Sequence, residues 1–181
     1  MKIRILILFA ALFFSSCTKQ HPLMIPGSMH VNLIQNGSFE SAGNPDLSHW
    51  YSDYPQAGDS VLNDTPPGGG FWSLRLEPQW LPSEGFREQA IAIGPGTGIY
   101  TLSCWIKNFN WTGSMSLRLR RAGITVTIGQ VTNSDSVWTY ISRTDTVTTL
   151  PMDTLIVHLS DGSTEVASGW TAYDRVSLIR N

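Results

Sequence analysis

From Val31 onward the chain is a succession of short runs in which apolar and polar residues alternate, and that pattern constrains the fold more than any other feature. The runs are Val31–Ile34, Trp72–Glu77, Arg87–Ile93, Ile99–Lys107, Ser114–Arg121, Ile124–Val131, Val137–Val147, Thr154–Ser160 and Gly169–Ile179. Turn residues cut one from the next: Pro66-Pro67-Gly68-Gly69-Gly70, Gly94-Pro95-Gly96, Asn133-Ser134-Asp135 and Asp161-Gly162-Ser163. Short strands at regular spacing, rich in Thr, Val, Ile and Trp, predict an all-β chain built as an antiparallel sandwich. No helical period of useful length follows residue 17.

A period of two also assigns faces. Tyr100, Leu102, Cys104 and Ile106 fall on one side of their run, with Thr101, Ser103, Trp105 and Lys107 on the other. Met115, Leu117 and Leu119 alternate with Ser116, Arg118 and Arg120, and Leu155, Val157 and Leu159 with Ile156, His158 and Ser160. Each strand is expected to give an apolar side to the core and a mixed side to solvent. Cys104 lies on the inward side and reads as a packed, unreactive thiol.

The first sixteen residues read as an address. Lys2 and Arg4 precede an apolar run from Ile5 to Phe14, followed by Ser15-Ser16-Cys17. A basic start, a short apolar stretch and small residues are the pattern of a secretory signal. The run is shorter than the roughly 20 residues of a membrane span. Ser15-Ser16-Cys17 resembles the bacterial lipobox, which implies cleavage before Cys17 and lipid on that cysteine; the usual Leu is Phe14 here. Thr18, where an Asp would retain such a protein at the inner membrane, resembles lipoproteins of the outer membrane. Residues 17–30, with Pro22, Pro26 and Gly27, read as the lipidated cysteine and a tether, and residues 31–181 as one domain. Without the signal, ten basic residues face fourteen acidic ones, a net charge of −4. With only Cys104 left, no intrachain disulfide can form. No basic stripe invites nucleic acid.

Three segments carry a family resemblance. Asn32-Leu-Ile-Gln-Asn-Gly-Ser-Phe-Glu40 with Trp50, Gly98-Ile-Tyr-Thr-Leu-Ser-Cys-Trp-Ile-Lys107, and the closing Tyr173-Asp-Arg-Val-Ser-Leu-Ile179 resemble the galactose-binding-like β-sandwiches. More closely, they are similar to the carbohydrate-binding modules first described as cellulose- and xylan-binding appendages. The resemblance implies a jelly-roll sandwich whose first and last strands lie together. It also implies a structural calcium held by Glu40 and Asp174, with Arg175 where those modules carry a second Asp. Two carboxylates brought together suit a hard cation that takes several oxygens. They equally suit turn capping or pairing with arginine.

A sugar site needs a flat exposed ring with donors and acceptors beside it. Trp105, on the polar side of its run, is the first candidate, with Arg118 and Arg120 on a run taken to be its neighbour. Trp50, Tyr54 and Trp80 could add rings at the rim, and Trp50 could instead be core. Arg75, counted with Arg118 and Arg120 on one face, would suit an acidic or sulfated glycan. Catalysis finds little support: His21, His30, His49 and His158 form no spaced metal motif, and no nucleophile elbow or phosphate loop is present. The sequence therefore reads as a non-catalytic, glycan-binding lipoprotein of the outer membrane, with polysaccharide or oligosaccharide as partner. A structural or adhesive lipoprotein that docks another envelope protein is the alternative.

Overall fold

Leu102, Cys104 and Ile106, Met115, Leu117 and Leu119, and Leu155, Val157 and Leu159 are all buried, as their period of two requires. They meet between two antiparallel sheets. The computed structural model describes residues 31–52, 59–77, 85–162 and 168–181, among which no helix occurs. In chain order the strands are β1 (Glu40–Ser41), β2 (Asn44–Pro45), β3 (Ser60–Leu62), β4 (Ser73–Leu76), β5 (Phe86–Ala92), β6 (Gly96–Phe109), β7 (Gly113–Arg121), β8 (Ile124–Asn133), β9 (Thr139–Thr149), β10 (Thr154–Ser160) and β11 (Trp170–Arg180). One sheet runs β3-β4-β11-β6-β9, the other β5-β10-β7-β8, and β1 with β2 makes a small ribbon apart. The lipidation site Cys17 and the tether lie outside the described residues.

The local chemistry explains most boundaries. Arg121 and Ile124 end and begin consecutive strands joined by Ala122-Gly123, both at positive φ (49° and 82°). That is the two-residue hairpin whose twist suits the flanking strands, and Gly at the second position tolerates it without strain. The expected opening strand Val31–Ile34 is only a single bridge, Asn32 to Ile179. The side chain of Asn32 takes over the ladder's work: its Oδ1 accepts the backbone N–H of Ile34 (3.1 Å) and of Leu178 (3.0 Å). β1, β2 and β3 are too short to show a period, and the sequence reading passed over them.

The sheets are bolted together across the core by Tyr173. It is fully buried on β11, and its hydroxyl lies 2.6 Å from the carbonyl oxygen of Ser160 and 2.8 Å from that of Ser114. Those two residues are register partners on β10 and β7 of the opposite sheet. Burial pushes the Tyr173 hydroxyl well above its ordinary pKa, so it stays a donor. Phe39 and Trp50 seal one end of the core, their ring centroids 5.3 Å apart. Burying a side chain of this size contributes roughly 1.5–3 kcal/mol.

Replacing Tyr173 by Phe keeps the ring and strands the carbonyl oxygens. Urea unfolding of Tyr173→Phe should show a loss of about 1–3 kcal/mol with an unchanged slope, the cost of a buried polar group left without its partner.

Candidate functional site

The outward face of the four-stranded sheet departs from the simple expectation of a solvent-facing side. Ile156, His158 and Ser160 point away from the core on β10, yet all three are buried. β10 lies inside its sheet, flanked by β5 and β7. Register then sets the rows. Glu88 on β5, His158 on β10 and Ser116 on β7 are aligned, as are Ala90, Ile156 and Arg118, and then Ala92, Thr154 and Arg120. Tyr51 extends the first row: its N–H donates to the Glu88 carbonyl and its carbonyl accepts the Glu88 N–H, both at 2.8 Å.

Small side chains open this face. Ala90 leaves space between Tyr51 and His49 on one side and Arg120 on the other, a cavity of about 550 Å³ lined by those residues and Glu88. Tyr51 is 58% exposed. Arg120 reaches across to Glu88, Nη2 to Oε1 at 3.4 Å. Arg118 donates from Nε to the Ser116 hydroxyl at 3.2 Å, and among the described residues its two Nη groups have no partner.

His158 is the most perturbed group on this face. Burial first, then the nearby Arg118 cation, pulls its pKa from 6.5 down to about 3, so at neutral pH it is an uncharged imidazole. Its ring stacks on Phe86, centroids 5.1 Å apart. Nδ1 stands 3.6 Å from the Glu88 carboxylate, beyond hydrogen-bond reach, and neither ring nitrogen has a hydrogen-bond partner. A neutral imidazole has one donor and one acceptor to satisfy, the same pair a hydroxyl group presents.

Trp105 does not share this face. β6 and β7 follow one another but belong to different sheets, so the chain crosses the sandwich between Phe109 and Gly113. Asn108 fixes that crossing: its Oδ1 accepts the Gly113 N–H and the Thr171 hydroxyl, both at 2.9 Å. Trp105 therefore faces outward from the five-stranded sheet, while Arg118 and Arg120 face outward from the four-stranded one. Arg75 is on the Trp105 side, paired with Glu77 at 2.7 Å and placed over the Trp170 ring. The expected face of three arginines is thus a face of two. Trp50 is withdrawn from the ligand surface: it is 5% exposed, and its Nε1–H donates to the Asn36 carbonyl at 2.9 Å. Tyr54 and Trp80 lie outside the described residues. Tyr51, Glu88 and His158 were not assembled in the sequence reading. Alternation marks each as outward, but only strand pairing puts them in one row.

Glu40 and Asp174 are brought together where the register of β11 shifts, midway along that strand. The Asp174 side chain is buried, Oδ1 accepts the Arg175 backbone N–H at 2.6 Å, and Oδ2 has no partner. Glu40 Oε2 accepts the Phe71 N–H at 2.7 Å. Gly69 and Gly70 pass so close that a Cβ on Gly70 would collide with the Glu40 carboxylate and one on Gly69 would stand 2.6 Å from Asp174 Oδ2. Burial, with Glu40 adding to it, raises the Asp174 pKa to about 7 against the pull of Arg175. The Arg175 guanidinium bonds the Gly68 carbonyl at 2.9 Å and makes no ion pair with Glu40. An orphaned buried carboxylate oxygen, a second carboxylate and a loop of close backbone are a donor set that fits a hard cation. Among the described residues no cluster of three or more His, Cys, Asp or Glu is present, so backbone carbonyls or water would have to complete such a shell.

No family model and no curated protein matches the chain. Solved structures do. TmCBM61, solved in complex with β-1,4-galactotriose, is 16% identical at a TM-score of 0.57, across 83% of this chain and 99% of that one. A family 16 carbohydrate-binding module is 18% identical at 0.56, across 81% and 99%. The CBM22-1 xylan-binding domain from Paenibacillus barcinonensis Xyn10C is 13% identical at 0.54, across 83% and 95%. Similarity at this level of identity concerns the fold, and function has to be argued from the site. This chain has the β-sandwich fold of the carbohydrate-binding modules.

Proposed function

We propose that this protein is a non-catalytic glycan-binding lipoprotein of the bacterial outer membrane, and that it takes sugar in the groove of the four-stranded sheet. The observation that carries the reading is the cavity beside Ala90, where the exposed Tyr51 ring, Glu88 of β5 and Arg120 of β7 converge across β10, with Arg118 on the same outward face of β7. A pyranose offers an apolar C–H face for a ring and hydroxyls for charged and amide groups. Glu88 accepts, the arginines donate, and the sheet holds all of them at fixed spacing. Around Glu88 stand Arg120 and His158 rather than a second acid, whereas glycoside hydrolysis needs two carboxylates flanking the bond. Several matched structures, the galactotriose complex among them, are binding modules, which supports the same class of function here. Cys17 carries the lipid in this proposal, and the tether after it lets the domain stand off the membrane.

Shallow grooves of this kind bind at about 10 µM to 1 mM, or roughly −7 to −4 kcal/mol. A glycan array probed with the protein should therefore give a related set of ligands. Arg118→Ala or Tyr51→Ala should weaken that set by about tenfold or more, near 1.4 kcal/mol. Binding to no glycan, or binding indifferent to both substitutions, would turn the search toward an envelope protein partner.

Calcium belongs to the proposal as a structural ion at Glu40 and Asp174. The sign of the pH effect follows from the raised Asp174 pKa. Between 3.8 and about 7 the folded protein binds more protons at this carboxyl than the unfolded chain does. Stability from this group is complete at low pH and is lost as the pH rises through about 7. Calcium favours the ionised form and opposes that loss. In chelator, the Tm contribution of this group should fall from pH 4 to pH 7. Added calcium should raise Tm more at pH 7.5 than at pH 5, and Asp174→Asn should abolish both effects.

A further inference from the structure

The five-stranded sheet carries an aromatic trough of its own on its outward face. Trp105 stands in register between Asp174 of β11 and Tyr140 of β9. Its ring meets that of Tyr140 edge-on, centroids 5.7 Å apart at 61°, and Tyr140 is 54% exposed. Together they border an open cavity of about 670 Å³, which is also lined by Ser38, Ser103, Ser177 and Arg175. That volume is within the roughly 300–1,000 Å³ of small-molecule sites.

Three features separate this trough from ordinary surface. Trp50, Trp72 and Trp138 each commit their indole N–H to a protein oxygen, at 2.9, 3.0 and 3.0 Å. The Trp105 N–H has no acceptor among the described residues and is not one of the buried unsatisfied atoms, so it is open to a ligand. The floor is hydroxylic: Ser103 and Ser177 face each other at 2.9 Å, and each oxygen retains capacity for another bond. Finally, the register of β11 shifts between Asp174 and Ser177, and Arg175 there takes a left-handed φ of 51°. A bulge re-aims a side chain, and this one delivers the exposed Arg175 to the rim.

We propose that this trough is a second glycan site, which takes one pyranose unit against the Trp105 and Tyr140 rings. Its C–H face would lie on one ring, and its hydroxyls would meet the indole N–H, Ser103, Ser177 and the Arg175 guanidinium. The inference rests on the glycan-binding reading of the protein and adds a site that the first groove does not touch. The two sites open in opposite directions from sheets packed about 10 Å apart. One extended sugar chain cannot lie along both, so the domain would bridge two chains and gain avidity on a dense glycan surface.

The test follows the indole N–H signals of the full chain, labelled with ¹⁵N-tryptophan, during titration with xylohexaose and with β-1,4-galactotriose to about 10 mM, above the weak end of the expected range. Trp105→Phe identifies the Trp105 signal by its disappearance. That signal should shift and saturate with at least one probe, both in the native protein and in Arg118→Ala/Arg120→Ala. Tyr140→Ala should weaken the response by about tenfold or more, with the Trp50 and Trp72 signals in place as a check on folding. A Trp105 signal that neither probe moves overturns the second site. So does a shift that disappears with the two arginines; the groove of the four-stranded sheet would then stand alone. A Trp105 response that survives while the arginine substitutions leave total binding unchanged overturns the groove and keeps the trough.

Discussion

The close approach of Gly37 to Val176 is the contact on which the rest of the arrangement depends. A Cβ at Gly37 would collide with the Val176 carbonyl oxygen, and the Val176 N–H donates to the Gly37 carbonyl at 2.9 Å. Only glycine lets the opening segment lie this close to the last strand. From that contact the following residues take their places in turn. Asn36, at a φ of 51°, receives the Glu40 N–H on its side-chain oxygen and the Trp50 indole on its carbonyl. Phe39 then enters the core against Trp50, and Tyr51, the next residue, is delivered to the edge of β5 opposite Glu88. A junction made for stability thereby sets the rim of the groove.

Much of this was legible in the sequence because the period of two is a local property. The inward sets on β6, β7 and β10 were assigned from alternation alone, and Cys104 was placed correctly in the core, where burial pushes its thiol up and keeps it unreactive. What alternation cannot supply is partnership between strands. Trp105 and Arg118 are both outward, and a reader of the sequence naturally puts them together. The crossing at Asn108 to Gly113 sends them to opposite sides of the molecule. Register pairs Tyr51, Glu88 and His158 across sequence separations that no local pattern reports.

The polar chemistry of the two outward faces differs in kind. On the five-stranded sheet it is hydroxylic: Thr97 with Thr148, Thr101 with Thr144 and Ser103 with Ser177 are cross-strand pairs at 2.9 Å. Such pairs add modestly to sheet stability and leave a hydroxyl-rich surface beside the Trp105 and Tyr140 rings, with Arg175 at its rim. On the four-stranded sheet the chemistry is ionic and partly sunk. A neutral His158 lies near Glu88 and Arg118, so its uncharged state is set by burial and by the cation rather than by the acid. Specificity at the two faces would accordingly rest on different groups, paired charges on one and hydroxyls with indole and the single Arg175 on the other.

Asp174 is a buried carboxylate with one oxygen left without a partner. Burying a carboxylate without a partner is costly, and ordinarily an arginine beside it would cancel the charge. Arg175 is adjacent in sequence, takes a left-handed φ of 51°, and directs its guanidinium to the Gly68 carbonyl. Glycines at 69 and 70 bring the loop's backbone against both carboxylates where any larger residue would fill the space. The chain keeps a proton on Asp174 near neutrality as one solution to that arrangement. The calcium proposed above would be the other, and it would draw on both carboxylates at once, the Oδ2 that now has no partner included.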